Sequence, residues 1–121
     1  MIRLALLSDT HMRHTDIVVP DCDIVAHCGD FSRSGSRDDA LAFLDWFAKL
    51  PALRVLTPGN HDVWAEQDTA AFRRACAERS IAVLVDEGMS VSGVRFWGSP
   101  VTPRFRNMAY NRKRGAEIRA H

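Results

Sequence analysis

Four short apolar runs constrain the fold of this chain more than any other feature of its sequence. They are rich in Val, Ile and Leu, and they lack strict alternation of apolar and polar residues. Such runs are typical of strands that are covered on both faces, as in α/β proteins. The runs occupy residues 2–7, 24–27, 53–57 and 81–85. We therefore predict four buried strands.

Two helices and a hairpin are predicted around these strands. A helix-like apolar face follows the second run, at Ala40, Phe43, Leu44 and Phe47. Ser36 and Asp39 form a predicted capping box at its start, and Pro51 ends it. A second helix is predicted over residues 69–79 with Asp68 as its cap. Val91 and residues 94–97 flank Ser92-Gly93, which predicts a hairpin. This order of elements predicts an α/β fold or a mixed sandwich.

Composition excludes several classes of protein. The chain has 121 residues, 46% of them apolar, with no repeat or linker, which indicates one domain. A net charge of +1 argues against a dedicated nucleic-acid binder, and we expect the basic last eighteen residues to be a solvated face. No apolar run approaches the roughly 18 residues of a membrane span. Three cysteines without a CxxC spacing indicate free thiols, so we expect a cytoplasmic protein.

Polar clusters follow each of the first three predicted strands. They are Ser8-Asp9-Thr10-His11, Cys28-Gly29-Asp30 and Pro58-Gly59-Asn60-His61-Asp62. The carboxyl ends of strands in α/β proteins are where loops converge on a ligand. Carboxylate, amide and imidazole groups are ligands for divalent metals. Each cluster alone is an ordinary turn, but three of them in this order indicate a metal site.

These clusters carry a resemblance to a known family. Asp9-x-His11, Gly29-Asp30 and Gly59-Asn60-His61-Asp62 resemble the first three motifs of the calcineurin-like metallophosphoesterases. Residues 96–103, with Tyr110-Asn111 and Arg114-Gly115, further resemble the branch of metallophosphoesterase-domain-containing proteins whose mammalian members are brain-expressed phosphodiesterases. The resemblance implies an α/β fold with a mixed β-sheet sandwich flanked by helices.

The resemblance also implies a role for each residue of the motifs. Asp9 and His11 would bind a first metal ion, Asp30 would bridge two ions, and Asn60 would bind the second. The cofactor would be two divalent metal ions. Mn²⁺ is the expected metal, with Fe, Zn or Mg as alternatives. His61 would be the catalytic residue that faces the phosphate and helps to neutralise or protonate the leaving group. Two such ions stabilise the attacking and leaving oxygens of a phosphoryl group together.

One comparison within the superfamily indicates the substrate. In the serine/threonine protein phosphatases, the Gly-Asp motif continues Tyr-Val-Asp-Arg-Gly, and its second Asp supports the catalytic His. Here the continuation is Phe31-Ser32-Arg33-Ser34-Gly35, without that Asp. We therefore expect a small phosphodiester, cyclic nucleotides included, bound by Asn60, His61 and Arg33. Asp62 is expected either to support the metal site or to cap a turn or helix.

Two further motifs of the family pattern, Gly-His and Gly-His-x-His, do not occur in this sequence. We therefore expect residues 1–121 to be the N-terminal part of a single metallophosphoesterase domain. Two functions remain open: hydrolysis of a small phosphodiester, or a non-catalytic module that binds a metal or a partner. An oligomer or a complementing chain would then pair with exposed edges of the sheet. Of the other histidines, His14 is expected to face solvent and His27 to be buried with its hydrogen bonds satisfied.

Overall fold

A computed structural model describes residues 1–121, and a parallel sheet of four strands lies at its centre. Its strands follow the chain order, β1-β2-β3-β4, with Leu4 opposite Ile24 and Ile24 opposite Leu53. They are β1 (Leu4–Leu7), β2 (Ile24–His27), β3 (Leu53–Leu56) and β4 (Ala82–Val83). All four predicted strands are present, although β4 is limited to two residues. The expected burial on both faces holds throughout β2 but was wrong for β1, an edge strand whose alternate residues are exposed. The predicted α/β class is confirmed.

Four helices accompany the sheet. They are α1 (Arg37–Ala48), α2 (Val63–Gln67), α3 (Thr69–Glu78) and α4 (Ala116–Arg119), and a 3-10 turn spans His14–Asp16. The Ser36 hydroxyl accepts from the Asp39 amide at 3.1 Å, so the predicted cap of α1 is confirmed. The Asp39 carboxylate accepts from the backbone amides of Arg33 and Ser34 instead of that of Ser36, so the second hydrogen bond of the predicted capping box does not form. α2 was not anticipated from the sequence.

Helices α1 and α3 cover one face of the sheet. Alternate strand residues such as Val25 and Leu56 point into this layer. Its centre is a set of fully buried, stacked aromatic rings: Phe31, Phe43, Phe47 and Phe72. Each such side chain contributes about 1.5–3 kcal/mol of hydrophobic free energy. This layer anchors the loops that leave β2 and β3.

A hairpin covers part of the opposite face. Its strands, β5 (Glu87–Val91) and β6 (Val94–Gly98), pair antiparallel as predicted. It packs on the second core cluster, Ile24, Ala26, Val55 and Leu84. Beyond the hairpin, Leu4 and Leu6 of β1 stay 43% and 66% exposed. Two short parallel strands, β7 (Thr102–Pro103) and β8 (Asn111–Arg112), follow. The helices are all too short or too polar to cross a bilayer.

Candidate metal centre

Three loops meet at the carboxyl edge of the sheet and bring acidic and imidazole groups together. Asp9 and His11 follow β1, and Asp30 follows β2. One ligand atom from each of the three lies within 4.8 Å of the others. Asn60 and His61 arrive from the loop after β3, because β3 lies beside β2 and runs parallel to it. The structure therefore assembles the predicted metal-ligand set.

The backbone of these ligands is held in an uncommon conformation. Asp9, His11 and Asp30 have positive φ angles of 55°, 40° and 60°. Outside glycine, such angles cost on the order of 1–3 kcal/mol each. Cross-loop hydrogen bonds hold them in place, from the Asp9 amide to the Gly29 carbonyl at 2.9 Å and from the His11 amide to the Asp30 carbonyl at 3.0 Å. These bonds therefore fix the positions of the three predicted ligands.

Two glycines let the second and third loops touch. Gly29 has a φ of 100°, and a Cβ there would lie 2.6 Å from the Gly59 nitrogen. A Cβ on Gly59 would collide with the carboxylate of Asp30. The close approach of these two backbones is what brings Asn60 beside Asp30.

A hydrogen bond orients the ring of His11 so that its Nε2 faces the candidate site. Its Nδ1 lies 3.0 Å from the carbonyl oxygen of Ser32. Since a carbonyl can only accept, Nδ1 is the donor in this bond, and in the neutral ring Nε2 then carries the lone pair that a metal ion would use. Nε2 lies 3.9 Å from Asp9 Oδ1, and the Ser8 hydroxyl donates to the other oxygen of Asp9. Both side chains are thereby oriented toward the same point.

The amide of Asn60 faces the carboxylate of Asp30. With its nitrogen toward Asp30 it donates to both carboxylate oxygens at 3.1 Å, whereas in the opposite orientation its oxygen faces those two acceptors. Three oxygens that face one another repel unless a cation lies between them. A side chain that can present this oxygen beside a carboxylate is suited to share a metal ion with it. The donor set fits Mn²⁺, Fe, Zn²⁺ or Mg²⁺.

His61 lies beside this cluster. Its ring is 4.9 Å from the His11 ring, in an edge-to-face arrangement, and its backbone amide donates to Asp30 Oδ1 at 3.0 Å. No group in the chain forms a hydrogen bond with its ring nitrogens. The predicted catalytic residue is thus adjacent to the predicted ligands, with its donor available to a bound molecule.

Asp62 ties the second and third loops together. Its Oδ2 accepts from the amides of Asp30 at 2.8 Å and Gly59 at 2.7 Å, and its Oδ1 accepts from Ser32 at 2.9 Å. It makes no capping bond to α2, although it stands at the start of that helix. Burial raises the pKa of Asp62 to about 6, although the three hydrogen bonds from backbone amides act to lower it. Of the two roles expected for Asp62, the structure favours support of the site.

His27 ties the first loop to the second. Its Nδ1 accepts from the Gly29 amide at 3.1 Å, so Nε2 carries the proton and donates to the Thr10 hydroxyl at 3.0 Å. Burial lowers its pKa to about 4. The expectation of a buried, satisfied imidazole is confirmed. Its support of the loops was not predicted, since no sequence pattern shows which backbone groups a buried ring will reach.

Two other residues lie outside the cluster. Arg33 is exposed on the loop from Asp30 to α1, and its guanidinium contacts no partner in the chain. His14, expected to face solvent, is buried against Phe43 and Trp46 at ring distances of 5.5 and 5.1 Å, so that expectation was wrong. The 3-10 turn that carries His14 packs on α1, and this packing buries the ring.

Comparison with known proteins agrees with the geometry. The family model described as Calcineurin-like phosphoesterase matches residues 2–94, which include all three polar loops. Human Metallophosphoesterase domain-containing protein 1 is 27% identical over 138 residues, covering 96% of this chain and 42% of that protein. UPF0046 protein K07C11.7 of Caenorhabditis elegans is 26% identical over 130 residues, covering 97% of this chain and 44% of that protein. The chain thus spans less than half the length of these relatives.

Proposed function

The chain belongs to the calcineurin-like phosphoesterase family, and we propose that it hydrolyses small phosphodiesters with the help of divalent metal ions. One observation carries this proposal: Asp9, His11 and Asp30 direct ligand atoms to one point, within 4.8 Å of one another. Asn60 and His61 flank that point on the loop after β3. Loops that only connect strands to helices would not need to bring these ligand atoms so close together.

We assign two ions to this cluster. Asp9 and His11 would hold the first ion, Asn60 the second, and Asp30 both, because only a carboxylate offers two anionic oxygens to two cations. Mn²⁺ is our first choice for an oxygen and imidazole donor set. Bound ions of this kind neutralise phosphate charge and lower the pKa of a coordinated water.

The chain's own groups supply the remaining functions. The free ring donor of His61 would give a proton to the leaving oxygen of the ester. Arg33 would contact a non-bridging phosphate oxygen, since its guanidinium is exposed and unpaired and matches phosphate geometry. Arg33 stands at the position of the second Asp in the protein phosphatase motif, which supports a small phosphodiester over a phosphoprotein. Three free cysteines support a cytoplasmic location.

The direct test is hydrolysis of bis(p-nitrophenyl) phosphate by the full chain with added Mn²⁺. We compare Asp30→Asn, which removes the bridging charge but tolerates the left-handed backbone at this position. We expect kcat/KM to fall at least about 100-fold, close to 2.7 kcal/mol of transition-state stabilisation. Asp16→Asn, which removes a charge from the exposed 3-10 turn, is the matched control and keeps wild-type activity.

Either of two results contradicts the proposal. One is equal turnover by Asp30→Asn and wild type. The other is a folded wild-type chain that binds Mn²⁺ and hydrolyses nothing. That second result would favour the alternative function, a non-catalytic module that binds a metal or a partner.

A further inference from the structure

The segment after β6 forms a polar cavity, which we call the distal cavity. Its volume is about 300 Å³, at the lower end of the range for small-molecule sites. It is lined mainly by Arg104, Arg106, Asn107, Met108, Asn111 and Lys113. None of these side chains belongs to the metal centre.

Positive charge dominates the distal cavity. Three lining residues are cationic and one, Glu117, is anionic, which gives a net charge of +2. Arg104, Arg106 and Lys113 form no ion pair within the chain. The Arg106 guanidinium lies 5.2 Å from the Phe105 ring centroid, a contact that leaves its N–H groups free. The cavity therefore offers unpaired donors of the kind that bind phosphate oxygens.

Asn111 holds the loop of the distal cavity in a defined shape. Its Nδ2 donates to the carbonyls of Phe105 at 3.1 Å and Arg106 at 3.0 Å. Its Oδ1 accepts from the Thr102 hydroxyl at 3.1 Å. Arg106 itself has a positive φ of 57°, which these bonds stabilise. A ligand would thus meet cations on an ordered loop and would not have to order it.

Met108 connects the distal cavity to the metal centre. Its Sδ lies 2.9 Å from the atom of the Asn60 side-chain amide that points away from Asp30, and the backbone amide of Ala109 donates to the backbone carbonyl of Asn60 at 3.0 Å. A molecule whose phosphoryl group lies at Asn60 and His61 therefore has this cavity next to it, on the far side of Met108.

We propose that the distal cavity binds a second phosphate of the substrate. The preferred substrate class is then a small phosphodiester with a further phosphate on the side away from the leaving group. This inference rests on the proposed function and makes its substrate more specific. Arg104, Arg106 and Lys113 would provide the contacts to the second phosphate.

The kinetic test uses two esters that differ only in that phosphate. Thymidine 5′-(p-nitrophenyl phosphate) and its 3′-phosphorylated form both release p-nitrophenolate. We expect the wild-type KM to be about tenfold lower for the phosphorylated ester, and Arg104→Gln/Arg106→Gln to remove that difference with little change in kcat. Arg114→Gln/Arg119→Gln removes the same charge from outside the cavity and should keep the difference. Two results would overturn the inference. One is an equal rise in KM for both esters in Arg104→Gln/Arg106→Gln, and the other is loss of the KM difference in Arg114→Gln/Arg119→Gln as well.

A binding measurement separates this inference from the proposed function. Calorimetry in excess EDTA compares thymidine 3′,5′-bisphosphate with thymidine 5′-monophosphate. We expect the bisphosphate to bind about tenfold more tightly to wild type, and the two to bind equally to Arg104→Gln/Arg106→Gln. Equal affinity in wild type overturns the inference even if both esters are hydrolysed. A difference in affinity without turnover of either ester supports phosphate binding in the distal cavity and contradicts only the hydrolytic function.

Discussion

The neutral imidazole of His27 supports two loops of the metal centre at once. It accepts from the amide of Gly29, beside Asp30, and donates to the hydroxyl of Thr10, between Asp9 and His11. A protonated ring could not accept from Gly29, so the charged form would break this link. Burial of the His27 ring in its neutral form therefore makes the fold sensitive to acid.

We predict how this sensitivity depends on pH. The pKa of His27 is lowered from 6.5 to about 4 in the fold. As pH falls between these values, the unfolded chain binds a proton that the folded chain excludes, so stability decreases. The full loss is about 3 kcal/mol and is absent above the unfolded pKa. We would measure the free energy of unfolding in urea at neutral pH and at pH 4. Its decrease between the two should be about 3 kcal/mol smaller for His27→Gln than for wild type. Parallel curves for the two proteins would contradict this account.

At the scale of elements, the loops after β2 and β3 act as one unit because Asp62 binds both. Each loop would otherwise expose backbone amides to a buried space without acceptors. The carboxylate, 1% exposed, satisfies three of them with two oxygens. The spacing between Asp30 and Asn60 therefore depends on a residue that touches neither metal position.

Replacing Asp62 with Asn tests this link. The amide has one acceptor oxygen, so at least one buried N–H loses its partner, at a cost of about 1–3 kcal/mol. We expect chemical denaturation to show that loss of stability, with Mn²⁺ affinity about 10–100-fold weaker. Asp68→Asn is the matched control, because Asp68 accepts one amide at the exposed start of α3 and Asn caps equally well. Equal stability of Asp62→Asn and wild type would refute the link.

These elements also show how far the sequence determines the fold. Periodicity and capping residues predicted β2, α1, α3 and the hairpin, because each depends on local preferences and on a local pattern of apolar residues. The order of the polar clusters predicted that Asp9, His11, Asp30 and Asn60 would meet. Other features depend on long-range packing, which local patterns do not encode. They include the burial of His14, the Ser32 carbonyl that orients His11, and the contact of Met108 with Asn60.

At the scale of the whole molecule, the sheet is covered unequally. The helices cover most of one face, whereas the hairpin leaves Leu4 and Leu6 exposed on the other. Strand β1 also forms an edge of the sheet, with one side unpaired. This edge fits the expectation of an oligomer or a complementing chain, which stays a prediction.

The whole chain must fold for its three loops to form one site, so metal binding is the most direct test of the account. We would titrate the intact chain with Mn²⁺ and follow free ion by electron paramagnetic resonance. We expect Mn²⁺ binding that Asp30→Asn weakens by more than the roughly hundredfold upper limit expected for Asp62→Asn, while Asp16→Asn leaves it unchanged. Equal binding by wild type and Asp30→Asn, with both proteins folded, would contradict the account at its centre.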